Sequence, residues 1–230
     1  MADSEQRWRH NLLEGDLAPL LRRISLPLMW GMVATHSFFL IDTLFIARLG
    51  TTVLAALGFT MPIVTFFMGV IYGMTVGTTS TLSRVYGEGD MVKIRRMSTD
   101  CLVLAAILAA GAAAGGYFLI DRIFRAMGAT DEILPLVHHY MAIWYCGMIT
   151  MSLMMVGNSA IRASGETHFP SAMMITTALI NLCLDPCLIF GWGPFPQLGL
   201  IGTAITLVIS YAVTCGVTLY FLAFKKKVLC

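Results

Sequence analysis

Six apolar stretches, at about residues 24–46, 53–82, 98–120, 133–157, 169–191 and 198–223, are set apart by short clumps of charged and polar residues. Each is close to the roughly 20 residues that carry a helix across the hydrocarbon of a bilayer at about 1.5 Å per residue. The pattern therefore predicts six membrane-crossing helices, an all-α polytopic bundle. A soluble core of buried helices is excluded because six such runs would leave almost no polar surface. Gly and Pro interrupt several of the stretches, which membrane helices tolerate better than soluble ones. Between Thr167 and Phe224 the only charged side chain is Asp185, in the segment NLCLDPCLIFG.

Composition strengthens this reading. The 230 residues are 57% hydrophobic and 12% charged, against about a quarter charged in an ordinary soluble domain. Residues 1–17, MADSEQRWRHNLLEGDL, have no apolar centre and no small-residue cleavage site, so they read as a polar cytoplasmic segment and not as a signal peptide. Residues 18–223 form the membrane lobe and 224–230 a basic tail. With the N-terminus inside, twelve of the fifteen Lys and Arg residues fall in inner segments and three, Arg48, Arg122 and Arg125, in outer ones. That bias predicts cytoplasmic N- and C-termini in the cell inner (plasma) membrane. These basic loops are topology determinants and lipid-headgroup contacts; no nucleic-acid site is expected. The six cysteines form no CxxC pair, and Cys183 and Cys187, one helical turn apart, lack further partners for a metal.

An ionisable side chain in hydrocarbon costs about 2.5–3.5 kcal/mol on insertion scales and usually marks an ion or substrate path. Only Asp42, in helix 1, and Asp185, in helix 5, lie well inside spans; Asp100 is expected to pair with Arg96 at an interface. Asp42 stands about 18 residues, and Asp185 about 16, from the inner ends of their helices, so both fall in the outer half at matching depth. Tyr140 and Thr203, on helices running the other way, reach a comparable level, and Asn181 shares the face of Asp185 one turn deeper. Pro186 cannot donate to the Leu182 carbonyl, which frees another oxygen nearby. Two carboxylates, an amide, hydroxyls and a carbonyl are hard ligands suited to sodium or to a shared proton. No other metal and no cofactor is implied.

These motifs, in this order, resemble the MATE (multidrug and toxic compound extrusion) family, in its DinF-like branch. Helix 1 places Pro27 fifteen residues before Asp42 in IDTLFIARLG; helix 2 passes Pro62 into VGTTSTLSRVYGEGD; helix 4 ends in NSAIRASGETHFP; helix 5 carries NLCLDPCLIFG; and FPQLGLIGTAITLV leads into helix 6. The similarity covers about residues 17–223, as the N-terminal six-helix lobe. It implies that Asp42 is the coupling carboxylate, that Asn181, Asp185, Thr203 and Tyr140 complete an H⁺ or Na⁺ site, that Pro27 is a hinge, and that Asn158 lies on the substrate path. Members have two such lobes, so a second six-helix lobe or a homodimer partner is expected.

The implied activity is multidrug efflux by proton- or sodium-coupled antiport of cationic amphipathic compounds. Met148, Met151 and Met155 share a face of helix 4 leading to Asn158, and Met151 and Met155 are expected to offer the adaptable surface a promiscuous pocket uses. Two other roles remain: a lipid-linked oligosaccharide flippase of the same superfamily, which would call for basic residues deep in its spans, and a half-length subunit that does not transport. No enzyme is expected. The GEGD string at 87–90 places Asp90 among Glu88, Lys93, Arg95 and Arg96 in a solvated turn, unlike an intramembrane aspartyl protease, and the adjacent His138 and His139 point to different faces.

Overall fold

In hydrocarbon every backbone N–H and C=O must be satisfied within its own segment, and the six apolar runs accordingly fold as uninterrupted helices. The computed structural model describes residues 17–191 and 196–225; the polar segment before residue 17 and residues 226–230 of the basic tail lie outside the described residues. The helices are α1 (Leu17–Ala47), α2 (Thr51–Glu88), α3 (Met91–Ala126), α4 (Leu134–Ala163), α5 (His168–Phe190) and α6 (Leu200–Tyr220), the last continuing into a π-helical turn, Phe221–Lys225. All six are long and apolar enough to cross a membrane. Pro27, Pro62 and Pro186 all sit inside continuous helix.

The helices α2 and α3 run 38 and 36 residues, well past the predicted apolar spans 53–82 and 98–120. The polar ends remain helical because the corner between them is capped on both sides. Gly89 takes the left-handed conformation at φ 79° and its N–H donates to the Val85 carbonyl, closing α2. Asp90 then accepts from the backbone N–H groups of Val92 at 3.0 Å and Lys93 at 3.1 Å, opening α3. The GEGD string is thus a helix-to-helix corner whose aspartate is occupied in capping. Lys93 pairs with Glu88 across it at 2.6 Å. The expected pair between Arg96 and Asp100 does not form among the described residues; both side chains point outward.

The centre of the bundle is α4: 61% of its apolar window is buried, against 17–28% for the other five helices. It packs on α2, α3 and α6, while α5 packs on α6 and α1 packs chiefly on α5. The pair α4 and α6 runs parallel, with Gly147 facing Val208 and Gly157 facing Thr218. The pair α5 and α6 runs antiparallel, with Gly202 against the backbone of Leu188. Glycine at these positions lets backbones approach where lipid supplies no hydrophobic drive to hold helices together. Because α1 hangs on α5 while α2 hangs on α4, the two make few contacts with each other, and a gap opens between them.

A Cβ added at Gly202 would lie 2.8 Å from the Leu188 carbonyl oxygen, a backbone atom that cannot rotate away. Gly202→Ala is therefore expected to destabilise the bundle by about 1–3 kcal/mol, as overpacking does. Gly58→Ala, in the interior of α2 with nothing within 4 Å, is expected to be neutral or stabilising by up to about 1 kcal/mol. Thermal unfolding of the two variants in detergent, compared with the parent chain, measures both; equal melting temperatures for Gly202→Ala and the parent would refute the close α5–α6 contact.

Candidate functional site

Two carboxylates stand out because the structure satisfies nearly everything around them. Asp185 is 1% exposed, and Asp42, on α1, is half-buried. Asp42 Oδ1 and Asp185 Oδ2 are both buried with no hydrogen-bond partner. The two aspartates lie within electrostatic range of each other, and Tyr140, also buried, feels both. The predicted meeting of α1, α4 and α5 at one depth is therefore present in the fold.

Residue by residue, the antiparallel register of α5 and α6 explains the surroundings. Asn181 is buried and its amide is fixed at both ends: Nδ2 donates to the Thr177 carbonyl at 3.0 Å, and Oδ1 accepts from the Ser210 hydroxyl at 2.8 Å. One turn up α5 is one turn down α6, so Asp185 faces Thr206, whose hydroxyl donates to the Gly202 carbonyl of its own helix at 2.9 Å. One turn further, Thr203 is level with Leu188, and its hydroxyl donates to the Leu200 carbonyl of its own helix at 2.9 Å. Thr203 is buried, but the α6 hydroxyl facing Asp185 belongs to Thr206.

Below this cluster, in the gap between α1 and α2, is a cavity of about 350 Å³. Its wall is soft and aromatic: Met32, Met68, Met154, Met155 and Met174 alternate with Phe38, Tyr72 and Tyr211. Asn158 and Arg162 line it from α4, His36 from α1 and Asn181 from α5. Asn158 donates to the Met154 sulfur at 3.0 Å and lies 3.4 Å from the Thr218 hydroxyl. Asn181 therefore belongs to both regions, lining the cavity on one side and standing one turn from Asp185 on the other.

The expected substrate-path residues divide. Asn158 and Met155 line the cavity, but Met151 does not; it is buried in the main hydrophobic cluster with Met148 and Tyr145. The face of α4 is as predicted, and the depth is not: the cavity ends one turn short of Met151, where the packing of α2, α4 and α6 closes. Met154 takes its place. The sequence reading also missed Thr206, Ser210, Tyr211 and Arg162. A signal existed for the first two, since Thr203, Thr206, Ser210, Thr214 and Thr218 recur every three or four residues and are all buried. Arg162 had been assigned to an inner loop as a topology determinant; it instead occupies the last turn of α4 and forms part of the cavity wall.

Comparison with known proteins agrees with this architecture. The MatE family profile matches residues 27–187. The FAD transporter of Shewanella oneidensis is 39% identical over 221 residues, which cover 96% of this chain and 49% of that protein. The probable multidrug resistance protein YpnP of Bacillus subtilis is 24% identical over 220 residues, covering 95% and 48%. Among solved structures, the MATE transporter VcmN of Vibrio cholerae in its bent form superposes with a TM-score of 0.86 at 30% identity, covering 93% of this chain and 48% of that one. The chain thus spans about half the length of the curated relatives it matches.

The Ser210–Asn181 hydrogen bond joins α6 to α5 inside the membrane. A double-mutant cycle of Ser210→Ala and Asn181→Ala, read by unfolding in mixed micelles, is expected to give a coupling energy of about 0.6 kcal/mol, with about 1.7 kcal/mol as a ceiling. Strictly additive effects would show that the two side chains are satisfied independently.

Proposed function

This chain belongs to the MATE family of membrane transporters, and from that premise we propose that it is the N-terminal lobe of a secondary exporter whose Asp42–Asp185 pair binds the coupling ion. The observation that carries the proposal is the buried, unpartnered carboxylate oxygen on each of the two aspartates, beside an Asn181 amide and a Thr206 hydroxyl that are already hydrogen-bonded elsewhere. In hydrocarbon such an arrangement is costly unless a proton or a sodium ion occupies it. Tyr140 within electrostatic range of both aspartates, Thr206 facing Asp185 and Asn181 one turn away support this reading, and Thr203 is assigned to the same site as a further oxygen.

Asn181 connects that site to the cavity. Neutralising the carboxylates by H⁺ or Na⁺ changes what Asp42 on α1 is attracted to, and α1 carries four residues of the cavity wall, Met32, Thr35, His36 and Phe38. Pro27 removes one backbone hydrogen bond from α1 and is the natural point for that helix to bend. Ion binding at one end of α1 thereby alters the shape of the substrate cavity, which is the requirement for antiport. A second six-helix lobe, or a second copy of this one in the same orientation, closes the open side. Both termini face the cytoplasm in the plasma membrane, so Arg162 and the α4–α5 corner lie toward the cytoplasmic entry.

The substrate is an aromatic amphipath, held by the methionine and aromatic wall. Cationic drugs suit the relatives that carry multidrug names. A second reading, a flavin-like substrate, is favoured by Arg162 in the wall and by the name of the Shewanella oneidensis relative.

Energised cells expressing the chain, alone or with a second lobe, are expected to export ethidium or a flavin. Asp42→Asn and Asp185→Asn are each expected to lower the export rate at least about tenfold, equivalent to about 1.4 kcal/mol, while substrate binding persists. Collapse of the proton gradient by an ionophore, compared with replacement of Na⁺ by choline, identifies the ion. Equal export by the parent and both variants sinks the coupling role.

A further inference from the structure

The cavity wall has a charge that the coupling aspartates do not share. No Asp or Glu is among its lining residues, and the groups lining it that carry or can carry positive charge are Arg162 and His36. The Arg162 guanidinium is half-buried. One of its nitrogens donates to the Ser159 hydroxyl at 2.8 Å, the Tyr72 phenol is nearby, and no carboxylate pairs with it among the described residues. A half-buried guanidinium with most of its fork of N–H donors uncommitted is poised for an anion, and planar oxyanions match that fork. The His36 ring is fixed in a compatible way: its Nδ1 lies 2.9 Å from the Met32 carbonyl, which only accepts, so Nδ1 carries a proton and Nε2 is left free. Opposite these groups stand the sulfur atoms and rings of Met154, Met155, Met174, Phe38 and Tyr211.

We propose that Arg162 makes this cavity a site for aromatic anions, with the guanidinium holding a phosphate or carboxylate group and the methionine and aromatic wall holding a planar ring. The proposal rests on the reading of this chain as a transport lobe and names the substrate class of that same cavity. It assigns to Arg162 the selection of charge, to the methionines the tolerance of ring shape, and to Asp42 and Asp185 no part in substrate recognition. A cation entering the same cavity meets an unneutralised guanidinium and no acid among the described residues.

The test compares three fluorescent probes on the purified chain in lipid nanodiscs: riboflavin monophosphate, riboflavin, which has the same ring without the phosphate, and ethidium, a planar cation. The monophosphate is expected to bind at least about tenfold more tightly than riboflavin, the fold-change of one charge-assisted hydrogen-bonded contact, with ethidium weakest. Arg162→Gln is expected to abolish the preference for the phosphate while leaving riboflavin affinity within about twofold, and Arg162→Lys, which keeps the charge without the fork, to retain part of it. Retained riboflavin binding also shows that the variants are folded. Ethidium binding as tight as the monophosphate, or an unchanged phosphate preference in Arg162→Gln, overturns the proposal. Nanodiscs of phosphatidylcholine alone and with added phosphatidylglycerol separate a soluble ligand from a lipid headgroup: an equal preference in both supports the proposal, and its loss with the anionic lipid assigns Arg162 to headgroups and overturns it. Asp42→Asn separates the two readings, because a phosphate preference that survives in a variant with undiminished export refutes the coupling role and leaves this assignment standing.

Discussion

Inside hydrocarbon no polar group can turn to water, and this single constraint orders the bundle. It forces the backbone into helices, and it then acts on side chains. The hydroxyls of Thr203, Thr206 and Thr214 each donate to a carbonyl of their own helix, and Ser171 and Thr177 do the same on α5. Where a side chain has more hydrogen-bonding capacity than its own helix can absorb, a neighbour supplies the remainder: Ser210 holds Asn181 across the α5–α6 seam, and Thr218 approaches Asn158 across the α4–α6 seam. Among the described residues the hydroxyls of Ser98, Tyr145 and Ser152 and one oxygen each of Asp42 and Asp185 are buried without a partner, and only the aspartates among these are carboxylates. An unpartnered carboxylate oxygen is far costlier to bury than an unpartnered hydroxyl, so the two aspartates are the sites where the bundle leaves most unsatisfied.

The same constraint fixes where the cavity lies. Tight packing is concentrated on α4, with α6 in parallel register beside it and α5 against α6 through Gly202. Helix α1 belongs to the α5 side and α2 to the α4 side, so the wall is weakest between them. Two hydrophobic clusters meet along α4, one containing Met141, Tyr145, Met148 and Met151 and the other Val156, Ala160 and Ile161. The cavity opens near their junction, where Met154, Met155 and Asn158 replace continuous packing. Helix α1, which packs chiefly on α5, thereby borders the cavity and carries one of the two carboxylates.

The number and order of the helices, the corner at Gly89 and Asp90, and the alignment of Asn181 with Asp185 were legible because each depends on local chemistry: hydrocarbon length, capping, and one helical turn. The depth at which Asp42 meets Asp185 was legible for the same reason, since rise per residue converts sequence distance into position. What sequence could not resolve was which part of a fully buried helix faces empty space. Along α4, Met151, Met154, Met155 and Asn158 all share one side, and periodicity offers no way to tell that the cavity stops between Met151 and Met154. Arg162 was misread for a related reason: a basic residue near a helix end satisfies the positive-inside rule whether it faces headgroups or lines a cavity. Thr206 was passed over in favour of Thr203 because the register of α5 against α6 is set by the contact of Gly202 with Leu188, a tertiary fact.

Asn181 carries the functional logic furthest. Its amide is locked by Thr177 and Ser210, so it cannot swing toward either neighbour, and it separates an uncharged stretch of cavity wall from the carboxylates one turn beyond. Under the proposed assignment, such a divider would keep ion and substrate from competing for the same ligands. On the proposed reading, coupling between the two passes through a moving element and not through shared contacts. Helices α1 and α5 each supply a carboxylate and several residues of the cavity wall, and of the two it is α1 that lies outside the α4–α5–α6 packing. Its proline lies fifteen residues before that carboxylate, on the far side of the cavity-lining positions Met32 to Phe38. On the proposed reading, a bend at Pro27 would move the cavity wall and Asp42 as one body, whereas a bend at any point beyond Phe38 would move the carboxylate alone and leave the cavity wall where it was.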